Sequence, residues 1–144
     1  MKKFLLALGV VAALSLLFVG CDKPTDDPET PETPATTETV VKSGVKGTYF
    51  KWSELGITAE NAADYTLRIT YTLDDASKAG WGPGSICDKD YKNDSLKDSL
   101  NVKADGVNEI PIADIIAIPA LADGFLVNWW GDYATLVKVE IIKK

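Results

Sequence analysis

The stretch Tyr65-Thr66-Leu67-Arg68-Ile69-Thr70-Tyr71-Thr72-Leu73 alternates without a break: every odd position is apolar or aromatic, every even one threonine or arginine. Side chains along an extended chain point to opposite faces in turn, so this pattern predicts a strand with one buried and one wet face. Leu136-Val137-Lys138-Val139-Glu140-Ile141 alternates in the same way, with Val137, Val139 and Ile141 expected inward and Lys138 and Glu140 outward. Further strands are expected over residues 48–54, 83–88, 100–104, 108–112 and 125–130. Turn-forming Gly, Pro, Asn and Asp residues cluster at 78–84, 89–94, 104–106 and 131–132. Short strands at this spacing, with no long helical period, predict an all-β fold, a two-sheet β-sandwich over residues 45–144. Thr58-Ala59-Glu60-Asn61 suggests a capped helical turn within residues 55–64. Ile115-Ile116-Ala117-Ile118 reads equally as a buried strand or a short helix that stops before Pro119.

Two segments precede that domain. Lys2 and Lys3 are followed by an apolar run over residues 4–19, broken only by Gly9 and Ser15 and ending at Gly20-Cys21. About sixteen apolar residues fall short of the roughly 20 that span a bilayer, so residues 1–20 read as a signal peptide. Residues 21–44, CDKPTDDPETPETPATTETVVKSG, consist mostly of Pro, Thr, Asp and Glu. Such a segment buries too little apolar surface to offset its ordering entropy and is expected to be a disordered, extended tether. At about 3 Å per residue it would hold a domain up to ~60 Å from an anchoring surface.

Composition excludes several function classes. The chain has 144 residues, 15 basic against 21 acidic, and no histidine. Ser-His-Asp and Cys-His machinery and His-liganded metal sites are therefore absent, and no side chain has an unperturbed pKa near neutrality. Nucleic acid is not an expected partner, because a single arginine, Arg68, and lysines scattered among aspartates make no phosphate-binding surface. The Asp88-Lys89-Asp90-Tyr91-Lys92-Asn93-Asp94 run has oxygen ligands at alternate positions, but its lysines and missing glycine break a calcium-loop register. A solvated surface loop is expected there, with no metal and no cofactor. Paired carboxylates for glycoside hydrolysis lack an enclosing cleft in a domain of this size, so no enzymatic activity is expected.

Two aromatic stretches lie among polar, loop-forming neighbours. In Gly80-Trp81-Gly82-Pro83-Gly84, three glycines and a proline frame one indole. It is either displayed as a flat stacking surface or folded back over the edge of the sandwich. In Phe125-Leu126-Val127-Asn128-Trp129-Trp130-Gly131-Asp132 the adjacent tryptophans must face opposite ways. With Phe125 and Val127 inward, Trp129 is core and Trp130 shares the outer face with Asn128; the reversed register exchanges the two indoles. An exposed indole beside the Asn128 amide and the Asp132 carboxylate suits a sugar, whose CH-rich face stacks on the ring while its hydroxyls bond to the polar groups. Cys87 reads as a small buried apolar residue rather than a nucleophile, since its ionisable neighbour is Asp88.

Two resemblances extend these readings. Phe18-Val19-Gly20-Cys21 resembles a bacterial lipobox, with Phe18 where leucine is usual; an ordinary signal peptide ending in Cys is the other reading. The lipobox resemblance implies acyl chains (palmitate among them) on Cys21, which would moor the chain to a bacterial membrane. The cell envelope is then the expected location, with the outer membrane or cell surface favoured over the cytoplasmic-membrane face. Residues 65–73, 80–84, 107–114, 125–132 and 135–141 together are similar to a jelly-roll (galactose-binding-like) carbohydrate-binding module. That resemblance implies a polysaccharide or oligosaccharide laid across one sheet, contacted by Trp81, Trp130 and Asn128, with Asp132 and Tyr91 as further contacts. The competing expectation is an envelope lipoprotein whose sandwich meets another protein or is purely structural.

Overall fold

The computed structural model describes residues 37–144. Cys21, the expected signal peptide and most of the expected tether lie outside the described residues. Among these residues, seven strands form two antiparallel sheets: β1 (Thr39–Gly44), β2 (Tyr49–Lys51), β3 (Tyr65–Leu73), β4 (Gly84–Cys87), β5 (Val107–Pro111), β6 (Gly124–Trp129) and β7 (Ala134–Lys143). One sheet runs β1-β7-β3-β5 and the other β2-β6-β4. Only two short α-helices are present among the described residues, α1 (Trp52–Leu55) and α2 (Ile112–Ile116), with a few 3-10 turns. The architecture is that of an all-β sandwich.

The apolar half of the alternation in β3 is realised as read, while Thr66 on the other face is also buried. Tyr65, Leu67, Ile69 and Tyr71 are buried and join one core with Ile110 of β5, Val139 and Ile141 of β7, and Ile86, Phe125, Val127 and Trp129 of the opposing sheet. Phe50 and Phe125 stack with centroids 5.2 Å apart, and Trp52 leans on Phe125 at 5.0 Å. Burial of these aromatic and branched side chains is what holds the sheets together, at roughly 1.5–3 kcal/mol for each large side chain.

Four expectations need correction. The β1 strand lies inside the segment expected to be a disordered tether, pairing Thr39 to Lys143 and Gly44 to Val139, so pairing with the sandwich starts before residue 45. Val137 does not point inward: the β3–β7 register shifts between Thr70 and Tyr71, which pair with Lys138 and Leu136, and the extra residue is left 51% exposed. Residues 100–104 are not a strand; Lys97–Leu100 is a 3-10 turn, and Val102 meets the Trp81 loop through backbone hydrogen bonds instead. Finally, the expected strand over 48–54 stops at Lys51. Gly56, in the left-handed conformation, closes helix α1 by donating its N–H to the Trp52 carbonyl. The ambiguous residues 113–118 are mostly helical, with Ile112 and Ile115 buried.

The two ends of the sandwich are distinct. At one end Thr39 pairs with Lys143, which also pairs with Tyr65. At the other, β3 finishes at Leu73 opposite the start of β7 at Ala134. The ten residues of β7 separate these ends by roughly 30 Å.

Candidate functional site

Strand β6 fixes the orientation of the paired indoles. Phe125, Val127 and Trp129 face the core, so Leu126, Asn128 and Trp130 belong to the other side. Trp129 is 4% exposed and its indole N–H donates to the Ala134 carbonyl at 2.7 Å, while Trp130 is 50% exposed. The register in which Trp130 is the outward indole is the one adopted. Asn128 pairs with Ser85 of β4 and is partly exposed on that same outer face.

Trp81 is 57% exposed, on the loop that leads into β4. That loop is firmly mounted. Gly80 donates to the Val102 carbonyl, Val102 donates to the Trp81 carbonyl, and Trp81 donates to Lys78, all within 3.0 Å. The Pro83 carbonyl accepts from both Trp130 and Gly131, at 2.8 and 2.9 Å, and thereby ties the backbones bearing the two exposed indoles together. Gly84 permits this approach, since a Cβ there would lie 2.4 Å from the Asn128 carbonyl oxygen.

Two further residues complete this end and were not picked out from the sequence. Tyr133 meets Trp81 nearly perpendicularly, centroids 6.5 Å apart, and the Lys78 ammonium stands 4.2 Å from the Trp81 ring centroid. An aromatic in the β6–β7 turn was the only signal for Tyr133; Lys78 carries none, because cation–π pairing depends on tertiary placement. One face of Trp81 is thus already occupied. Asp132 is exposed in the same turn, and its charge together with burial pushes the Tyr133 hydroxyl pKa upward, burial being the larger cause.

Tyr91 belongs elsewhere. The loop after β4 starts at the opposite end of that strand, and Tyr91, 53% exposed, carries its hydroxyl over Gly47, where a Cβ would lie 2.5 Å away. The structure brings Trp81, Trp130, Tyr133, Lys78 and Asp132 together at the Leu73–Ala134 end, with Asn128 beside them on β6; Tyr91 is not part of that group.

The aspartates of this loop are occupied in shaping it. Asp88 accepts from the backbone amides of Asp90 and Lys92, both at 2.9 Å, and from the Asn93 side chain. Asp94 accepts from the Ser85 hydroxyl at 2.7 Å and the Cys87 thiol at 3.1 Å. Both carboxyls are held below the usual carboxylate range, Asp88 chiefly by the Lys92 amide and Asp94 chiefly by the Ser85 hydroxyl. Cys87 is fully buried, and burial above all pushes its thiol up to about 11, so it is protonated at neutral pH and is no nucleophile in this conformation. Among the described residues no cluster of His, Cys, Asp or Glu could hold a metal ion, and no helix is long and apolar enough to cross a membrane.

No protein-family model matches the sequence, and no curated protein or solved structure shows significant similarity to it.

Proposed function

We propose that the chain is a membrane-anchored lipoprotein, acylated at Cys21, whose jelly-roll β-sandwich binds carbohydrate without catalysis. The observation that carries this reading is the pair of exposed indoles, Trp81 and Trp130, whose backbones share the Pro83 carbonyl at one end of the sandwich. The exposed half of each ring contributes no burial to the fold, whereas a pyranose stacked on it removes apolar surface from solvent on both partners. Trp130 is the principal platform, with Asn128 and Asp132 as hydroxyl-bonding groups. Trp81 offers its face away from Lys78. Stacking on isolated rings is weak, in keeping with millimolar to micromolar affinity, and an array on a membrane strengthens it through avidity.

Titration of soluble polysaccharides into residues 37–144, read by tryptophan fluorescence and a glycan array, tests the proposal. A response lost in Trp130→Ala, with thermal unfolding retained, supports it; no response to any glycan sinks it. The second reading, a protein-interaction sandwich, draws on the exposed Val40, Val41, Val45 and Val137 around the β1–β7 edge. A stable complex with an envelope protein that survives Trp81→Ala and Trp130→Ala but is lost on Val137→Lys would favour it.

A further inference from the structure

We propose that residues 88–95 form a strap that closes over the outer face of the β2-β6-β4 sheet and is poised to open. This goes beyond the carbohydrate reading and does not depend on it. Ser85 and Cys87 of β4 and Leu126 of β6 point away from the core, since Ile86 and Val127 point into it. Yet all three are buried, and neither Cys87 nor Leu126 belongs to the core cluster. The segment after β4 folds back along the free edge of that strand and sends side chains over this face. Ser95 and Ile86 exchange two backbone hydrogen bonds, at 2.8 and 3.0 Å, and the Asp94 carboxylate reaches Ser85 and Cys87 together. Tyr91 extends over Gly47, which donates to the Val127 carbonyl and so lies on the far side of β6 from β4.

Closure rests on few interactions. The six residues 89–94 are exposed, so the strap gains little from apolar burial. Tyr91, Asn93 and Leu96 all hold left-handed backbone conformations, with φ of 58°, 56° and 53°, a geometry that L-residues adopt singly and at a cost. Leu96 packs against the core and anchors one hinge. The Asp94 carboxylate is then the latch. Lifting the strap would bare a patch of Leu126, Cys87 and Ser85 continuous with Asn128 on the face toward Trp130.

Cys87 reports opening directly. Alkylation of the full chain at fixed pH, over a range of urea below the unfolding transition, is read peptide by peptide so that Cys87 is distinguished from Cys21. The strap predicts a Cys87 rate that is almost independent of urea in the native range, because local opening exposes little surface. Asp94→Ala removes a charged acceptor from two buried donors and is expected to raise that rate about tenfold or more, with Ser85→Ala raising it less. A Cys87 rate in the wild-type chain that follows global unfolding with the full denaturant slope would overturn the proposal, and so would an unchanged rate in Asp94→Ala. The wild-type measurement is decisive even where a variant fails to fold.

Discussion

The indole N–H of Trp129 donates to the carbonyl of Ala134 across the turn that joins β6 to β7, and both residues are buried. This bond stitches the end of one sheet to the start of the other while Trp129 packs on Tyr71, centroids 5.5 Å apart. Trp130, next in the chain, contributes a backbone bond to Pro83 but an indole half in water. Truncating the two should therefore have very different effects. Trp129→Ala is expected to lower stability by about 3–5 kcal/mol, from lost burial, a cavity and an orphaned carbonyl. Trp130→Ala should stay within about 0.5 kcal/mol. Urea midpoints at constant m-value measure both, and comparable losses would mean that Trp130 is structural.

Gly84 sets how closely β4 approaches the end of β6. An alanine methyl there would stand 2.4 Å from the Asn128 carbonyl and 3.2 Å from the Trp129 ring, and neither neighbour is a flexible side-chain tip. The strands would have to part, loosening the Pro83 carbonyl from the Trp130 and Gly131 amides. Gly84→Ala is expected to cost about 1–3 kcal/mol. Faster hydrogen exchange at Trp130 and Gly131 than at the β3 amides would locate the damage. Uniform acceleration, or none, would contradict it.

How much of this was legible in the sequence depended on whether local pattern and tertiary pairing agreed. In β3 every inward position is apolar and the strand lies between two partners, so the period-two pattern sufficed. The same reasoning applied to β7 failed at Val137, because a bulge changes side-chain parity and nothing in the residues around it announces one; Glu140, expected outward, is also buried. Thr39-Val40-Val41 is β-prone, but its composition merges with the Pro/Thr/Glu run before it; only pairing with β7 makes it a strand. At the candidate site, Trp130 was legible because Phe125 and Val127 set the parity of β6. The sharing of Pro83 between the two aromatic backbones and the cation over Trp81 are contacts distant in sequence, and no local pattern encodes them.

Lys78 shields one face of the most exposed indole. An exposed cation–π pair is worth about 0.5–1 kcal/mol, so Lys78→Ala should reduce stability by no more than that. It should also open the ring to solvent: acrylamide quenching of a Trp130→Phe background is expected to rise on adding Lys78→Ala, since Trp81 then supplies the accessible emission. Unchanged quenching would mean that the ammonium does not rest on the ring in solution.

Acid should weaken the strap through its two bonded carboxylates. Asp88 and Asp94 both have folded-state pKa values below the ordinary carboxylate value, through the Lys92 amide in one case and the Ser85 hydroxyl in the other. Asp75, bonded to Ser77, and Glu60, bonded to Thr58, are lowered in the same sense. The unfolded chain thus takes up protons more readily than the folded one. The stabilisation from these groups is complete above the unfolded value of about 4 and is lost as pH falls through the depressed folded values. With no histidine in the chain, nothing of that type titrates nearer neutrality, so urea midpoints should be level from about pH 8 to pH 5 and decline below about pH 4. Asp94→Asn keeps an oxygen over Ser85 but carries no titrating charge. It should start lower at neutral pH and decline less steeply in acid than the wild type. Parallel acid limbs for the two proteins would show that the Asp94 carboxylate contributes nothing to the closed strap.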